Sequence, residues 1–255
     1  WFPGLNGLRF LAAITVVLAH MHSNPGNVGL PQWPDFPILF KSHAGVSFFF
    51  VLSGFLITYL LLEERIQTGR ISVRNFYLRR VFRIWPLYTV IIVFGLIFYW
   101  VIVPRSDVEF EITYNLELAI LLYTVLLANL MNSLYHVGGI LSVTWSIAVE
   151  EQFYLVWAPM VRKFFLRRLP TIIASVIIVS ATVNILNGLD MFGLTEGLKA
   201  FIDTLKFHYM GLGAAAAWML HYRRDIFLAW PVFTTRAGQV ICLTLISAYF
   251  FAYPK

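Results

Sequence analysis

The chain has 255 residues, of which 59% are hydrophobic and 13% are charged, with a formal net charge of +6 at pH 7. Soluble globular domains carry about 25% charged residues, so this composition excludes a soluble globular protein and indicates a membrane protein. Several apolar runs reach the ~20 residues that a membrane helix needs, and we predict an all-α, polytopic transmembrane bundle of seven or eight spans that forms one domain over residues 1–255.

The basic residues do not indicate a nucleic-acid partner. They lie in short connections between apolar runs, where they report orientation in the bilayer. The chain has one cysteine, Cys242, which excludes an intrachain disulfide and a cysteine-based metal cage. We expect no metal ion at the functional site.

The first apolar segment, Leu5 to Met21, carries an arginine near one end and a histidine near the other. In a helix, the steps from Arg9 to His20 bring the two side chains within about 20° of one azimuth and roughly 16 Å apart along the axis. The segment begins without a cationic region and no small-residue cleavage site follows it, so we expect a retained span rather than a signal peptide. Two interpretations remain: anchors at the two ends of a span, or a cation and a titratable base on one helix face.

An irregular loop is predicted next, over residues 22–40, which include four prolines. The second predicted span, Ala44 to Leu62, leads into a basic connection, Glu63 to Arg83, with six arginines: Arg65, Arg70, Arg74, Arg79, Arg80 and Arg83. Such a density of arginine predicts a cytoplasmic connection, which puts His20 toward the outer membrane face.

The topology of the middle of the chain depends on one segment, Leu116 to Leu130. It follows the third predicted span, Ile84 to Val103, and precedes another, Trp145 to Val161, after which the chain is again basic. Both basic connections can be cytoplasmic only if Leu116–Leu130 is broken or re-entrant, or if another crossing lies between Asn132 and Val143. We predict a broken or re-entrant segment. The remaining predicted spans are Thr171–Leu186, Phe201–Leu220 and one near Gly238–Phe251.

The arginines before the third span form a compact cluster of Arg79, Arg80 and Arg83. Anchoring by the positive-inside rule would be satisfied by any scatter of lysine or arginine. This cluster holds arginine only, and the planar guanidinium suits phosphate recognition better than a lysine ammonium. Anchoring and phosphate binding both remain open from this feature alone.

Two adjacent carboxylates, Glu150 and Glu151, lie inside the apolar run that begins at Trp145. Each costs about 2.5–3.5 kcal/mol to insert in a membrane. Acids at a helix start would favour the helix dipole, but these two lie more than a turn inside. Carboxylates orient and charge-stabilise general bases, so the pair predicts a catalytic site.

Four motifs in this order and spacing resemble the acyltransferase-3 family, integral membrane acyltransferases that decorate cell-envelope or secreted glycans. The motifs are Asn6-Gly7-Leu8-Arg9 with His20, Gly45–Ile57, Phe76-Tyr77 through Arg79, Arg80, Arg83 and Pro86, and Trp145-Ser146 through Val149-Glu150-Glu151-Gln152-Phe153-Tyr154. Gly211–Ala214 is similar to a small-residue helix of the family. The family core usually has about ten spans, so the resemblance implies either that C-terminal spans are missing from this chain or that it is a short variant. Family members often have an acid where Ser47 stands, although serine also occurs there.

The resemblance implies acyl transfer from acyl-CoA, most often acetyl-CoA, to a hydroxyl on the far side of the membrane. It implies His20 as general base or as acyl carrier, with Glu150 or Glu151 orienting the imidazole. Arg9, Arg79, Arg80 and Arg83 would bind the CoA phosphates. Ser146, Tyr154 and the outer histidines His22, His43 and His136 would contact the acceptor, although an interfacial loop position is the favoured explanation for each of these three histidines.

The implied acceptor is a glycan or a lipid-linked sugar, and the implied location is the cell membrane with the arginine-rich connection in the cytoplasm. A homo-oligomer, or a partner acyl-carrier or hydrolase protein, fits the same activity. A different class of function is also open, a proton-coupled transporter or flippase in which Arg9, His20 and Glu150 form a relay. The arginine-only cluster favours the enzyme, because a proton relay does not require it.

Overall fold

The computed structural model describes residues 5–27, 42–106, 110–164 and 168–252. Side chains are described for these residues except 20–27, 42, 43 and several positions beyond 226. Every regular element in the described residues is helical, as predicted. The α-helices are α1 (Leu5–Asn27), α2 (Ser42–Thr68), α3 (Val73–Ile97), α4 (Leu116–Thr124), α5 (Ala128–Leu134), α6 (Gly139–Ser142), α7 (Trp145–Lys163), α8 (Leu169–Gly188), α9 (Glu196–Thr204), α10 (Phe207–Tyr222), α11 (Arg224–Ala229), α12 (Pro231–Thr234) and α13 (Arg236–Ala252).

Three described helical segments are long and apolar enough to cross a membrane: Ala44–Thr68, Val73–Arg105 and Leu169–Gly188. The second combines α3 with a π-helical turn, Phe98–Ile102, and a 3₁₀ turn, Val103–Arg105. These segments support a membrane protein. The total of seven or eight spans stays a prediction.

The chain divides into two compact units. The first contains residues 1–62 and 209–255, and the second contains residues 63–208. In the first unit, α2 packs closely on α1 and on α10 through glycines. A Cβ at Gly45 would lie 2.6 Å from the Thr15 hydroxyl of α1, and a Cβ at Gly54 would collide with the backbone of Met210. Small residues of this kind let membrane helices approach closely.

The second unit has a core of aromatic and aliphatic side chains from α3 to α7. Two of its helices begin at side-chain caps. Ser72 accepts the backbone N–H of Asn75 at the start of α3, and Asn115 accepts that of Leu118 at 2.7 Å at the start of α4. Both caps satisfy donors that have no partner within their own helix.

The segment Leu116–Leu130 is broken, as predicted. Helix α4 ends at Thr124 and α5 begins at Ala128, and between them Leu126 has φ of +60°, an unusual value for a side chain other than glycine. The alternative of a crossing between Asn132 and Val143 is not supported, because that stretch holds only the four-residue α6 and the end of α5.

Three boundary predictions are wrong. Helix α1 continues to Asn27, since polar residues after Met21 end the apolar run without ending the helix. The basic connection is largely helical as well, because α2 reaches Thr68 and α3 begins at Val73. Only four residues join them, starting at Gly69, whose φ is +73° and whose N–H caps α2 on the carbonyl of Arg65.

The predicted span Phe201–Leu220 is two helices, α9 and α10, rather than one. The break is stabilised by α8. The Asn184 amide donates to the carbonyl of Leu205, and the Ser180 hydroxyl accepts the backbone N–H of His208 at 3.0 Å. These bonds satisfy backbone groups that a continuous helix would have paired internally.

Candidate functional site

The arginine cluster at the start of α3 does not act as one surface. Arg79 and Arg80 are adjacent, so their side chains leave the helix about 100° apart. The Arg79 side chain is 60% exposed, and its Nη2 donates to Glu64 Oε2 at 3.0 Å. Glu64 also accepts the backbone N–H of Ser72 through Oε1. Arg79 is therefore tied to the turn between α2 and α3.

Arg80 is half-buried between two aromatic rings of the second unit. Its guanidinium carbon lies 5.7 Å from the ring centre of Phe76 and 5.4 Å from that of Tyr154. The two rings meet edge to face, with centres 6.4 Å apart. Cation–π contacts of this type contribute about 0.5–2 kcal/mol each. They direct the charge of Arg80 toward α7.

The carboxylate pair lies on α7 beside these rings. The Tyr154 hydroxyl donates to Glu150 Oε2 at 3.0 Å, one helical turn away. The Glu151 side chain is buried, and its Oε1 atom has no hydrogen-bond partner among the described residues. The charge of Arg80 interacts favourably with both carboxylates. Because a buried acceptor without a partner is unfavourable, Glu151 is suited to accept a proton or a hydrogen bond from a ligand.

Two sets of hydrogen bonds hold α7 in place. The Tyr77 hydroxyl donates to the carbonyl of Leu155 at 2.7 Å and joins α3 to α7. On another side, the Gln152 amide donates to the carbonyl of Leu126 and to Asn129 Oδ1, both at 2.8 Å. Gln152 thus fixes α7 to the break between α4 and α5. Such networks restrict the rotation of a helix that carries functional side chains.

The structure brings four of the predicted site residues together in the second unit: Arg80, Glu150, Glu151 and Tyr154. Arg83 is exposed on α3, and Ser146 is half-buried at the start of α7. Arg9 is half-buried on α1 in the first unit. His20 and His22 lie within α1, but their side chains, like that of His43, are outside the described residues.

Sequence reasoning gave no role to Phe76, Glu64 and Gln152. Phe76 and Gln152 stand inside the motifs that carry the family resemblance, and this was the available signal. No feature of the sequence pointed to Glu64, because its contact with Arg79 crosses the turn between two helices. No group of three or more metal-ligating side chains occurs among the residues whose placement is described.

The sequence profile of the acyltransferase-3 family, described as an acyltransferase domain, matches residues 2–254. The O-acetyltransferase OatA of Staphylococcus aureus strain NCTC 8325 / PS 47 is 34% identical over 176 residues, which cover 66% of this chain and 26% of OatA. OatA of Staphylococcus aureus strain MRSA252 gives the same identity and coverage. The chain therefore spans about a quarter of the length of these relatives. No solved structure matches the chain.

Proposed function

Because the chain belongs to the acyltransferase-3 family, we propose that it is an O-acyltransferase that moves an acyl group, most simply acetyl, from acyl-CoA to a hydroxyl of a glycan or lipid-linked sugar. The observation that carries the proposal is the cluster of Arg80, Glu150, Glu151 and Tyr154 on two packed helices, with a buried carboxylate oxygen left for a ligand or a proton.

In this proposal His20 is the base, or the acyl carrier, of the reaction. As base, the imidazole takes the proton of the acceptor hydroxyl while the oxygen attacks the thioester carbonyl. The C–S bond then breaks, and the proton leaves with the thiolate as CoA–SH. As carrier, the imidazole itself attacks the thioester carbonyl, the C–S bond breaks and the thiolate leaves as CoA–SH with the proton of the imidazole N–H. The acceptor oxygen then attacks the acyl-imidazole, the C–N bond breaks, and the hydroxyl proton returns to the imidazole.

The carboxylate pair is proposed to stabilise the positive charge that develops on the imidazole. Arg80 would favour the ionised forms of Glu150 and Glu151 in an otherwise apolar surrounding, since an unpaired buried charge is strongly unfavourable. Tyr154 would set the direction of Glu150. Ser146, Tyr154 and His22 stay proposed contacts of the acceptor.

The phosphates of acyl-CoA, the acyl donor, are proposed to be bound by Arg9, Arg79, Arg80 and Arg83. The exposed arginines of α3 are the best suited, because Arg79 could exchange Glu64 for a phosphate at little cost. Exposed ion pairs of this kind contribute only about 0.2–1 kcal/mol. The proposed location is the cell membrane, with this basic end of α3 in the cytoplasm.

The test is cleavage of acetyl-CoA by the purified chain, measured as release of free thiol with and without an envelope glycan preparation. Wild type should release thiol and the folded His20→Ala variant should not. Intact mass after incubation without acceptor distinguishes the two roles of His20, because only a carrier gains an acetyl group. Thiol release by His20→Ala at the wild-type rate would contradict the role of His20. Substrate movement without thiol release would favour the transporter.

A further inference from the structure

A long apolar groove on α3 has no part in the proposed reaction. It has a volume of about 570 Å³ and is lined from Trp85 to Val101 by one face of α3 and of the π-helical turn that continues it, and by residues of α4 and the turn after it. Where the two helices meet, the Tyr88 hydroxyl donates to the carbonyl of Tyr123 at 2.9 Å.

The groove exists because the two helices differ greatly in length. Helix α4 has nine residues and is about 14 Å long, whereas the segment Val73–Arg105 has 33 residues and is about 50 Å long. Only 28% of the apolar window of this segment is buried. Val93 and Ile97, for example, are half exposed. In a membrane such a face is in contact with hydrocarbon.

A second, shallower groove extends this surface toward the basic end of α3. It is lined from Val81 to Ile97 and shares Trp85, Thr89, Val93 and Ile97 with the first. We call the combined surface from Val81 to Val101 the α3 track. Its twenty residue steps measure about 30 Å, the thickness of the hydrocarbon core of a bilayer.

The charges at the ends of the α3 track are of one sign. Arg79 and Arg83 stand within one turn of Phe82 and Pro86, on the side of the helix that carries the track. Arg80 lies three residues before Arg83 and about 60° from it around the helix, and its guanidinium is directed to the rings of Phe76 and Tyr154. No acidic residue occurs from Val73 to Arg105. The α3 track therefore combines an apolar surface groove, about as long as the hydrocarbon core of a bilayer is thick, with exposed cations where it begins.

We propose that the α3 track binds an anionic phospholipid, with a hydrocarbon chain along the track and the phosphate hydrogen-bonded to Arg83. The guanidinium of Arg83 matches phosphate geometry, and Arg79 is already paired with Glu64. Arg83 is also one of the four proposed donor contacts, so its assignment to a lipid leaves Arg9, Arg79 and Arg80 for the acyl donor. The inference rests on the geometry of the second unit and does not depend on the proposed reaction.

The experiment counts retained lipid by mass spectrometry of the intact chain, extracted from bilayers of phosphatidylcholine and phosphatidylglycerol in equal amounts. Wild type should retain phosphatidylglycerol in preference to phosphatidylcholine. Arg83→Gln should weaken this preference about fivefold, as expected for one arginine near a membrane surface. Val93→Trp, which fills both grooves, should abolish retention. Arg105→Gln is the matched control, because it removes the same charge at the other end of the segment and should leave retention unchanged.

Equal retention of the two lipids by wild type would overturn the proposal. So would a loss of preference in Arg105→Gln as large as that in Arg83→Gln. If wild type instead forms a lipid-free dimer that Val93→Trp converts to a monomer, the track is an interface between copies of the chain. Arg83→Gln changes an exposed side chain and should fold, so the test does not depend on Val93→Trp. Turnover is not measured, and the result is independent of whether the chain cleaves acyl-CoA.

Discussion

Arg80 and Tyr154 form the centre of the candidate site. The guanidinium carbon of Arg80 lies 5.4 Å from the centre of the Tyr154 ring, and the hydroxyl of the same tyrosine donates to Glu150. One side chain thus contacts the cation through its ring face and the carboxylate through its hydroxyl. The two contacts can be separated by mutation.

The first prediction compares neighbouring arginines. Arg80→Gln should destabilise the protein by about 1–4 kcal/mol, because it removes two cation–π contacts of about 0.5–2 kcal/mol each and the favourable charge interaction with the carboxylate pair. Arg79→Gln removes only an exposed ion pair and should cost less than about 1 kcal/mol. The measurement is the unfolding midpoint of each purified variant in the same detergent. Equal destabilisation by the two variants would show that Arg80 does not compensate the carboxylates.

The second prediction separates the ring of Tyr154 from its hydroxyl. Tyr154→Phe keeps the surface under Arg80 but removes the hydrogen bond to Glu150, and hydrogen bonds to charged groups are worth about 1.5–3 kcal/mol. We expect kcat for acyl transfer to fall at least tenfold while KM for acyl-CoA stays within about twofold.

Tyr77→Phe is the control for this prediction, since it removes a tyrosine hydrogen bond between α3 and α7 that does not involve a carboxylate. It should lower the unfolding midpoint with little effect on kcat. A parallel fall of kcat in both variants would indicate a structural role for Tyr154.

The third prediction concerns the close approach of α2 and α10. Gly54→Ala places a methyl group against the backbone of Met210, which cannot yield as a flexible side chain would. Overpacking of this kind costs about 1–3 kcal/mol or more. Gly7→Ala is the control, because no atom lies within 4 Å of the added methyl group, and alanine is favoured in helices. Thermal unfolding of the two variants should therefore shift in opposite directions, and a Gly54→Ala protein as stable as wild type would contradict the packing.

The sequence predicts the helices well where an apolar run is long and uninterrupted. Helices α2, α8 and α13 contain the spans predicted from Ala44, Thr171 and Gly238, and the charge pattern alone indicated the break near Leu126. The prediction from the sequence fails at the boundary between α9 and α10, where one continuous span was expected. There Ser180 and Asn184 of a preceding helix pair with the backbone, and neither period nor composition encodes such a contact.

The candidate site is likewise predicted only in part from the sequence. The density of arginine and the cost of burying charge single out two groups of residues from the sequence: the cluster of Arg79, Arg80 and Arg83, and the pair of Glu150 and Glu151. They do not separate Arg79 from Arg80, because the pairing of Arg79 with Glu64 depends on how the chain turns at Gly69. Helical geometry gives only the angle between neighbouring side chains. Which of them meets a partner is decided by elements elsewhere in the chain.

The division into two units has a consequence for the order of folding during synthesis. The second unit is continuous in sequence, from residue 63 to 208, and all of its helices are available once that stretch has left the ribosome. The first unit combines residues from both ends of the chain, and α2 cannot pack on α10 until α10 has been made. We therefore expect nascent chains arrested after residue 208 to contain a protease-resistant second unit. Helices α1 and α2 should become protease-resistant only after α10 has been synthesised.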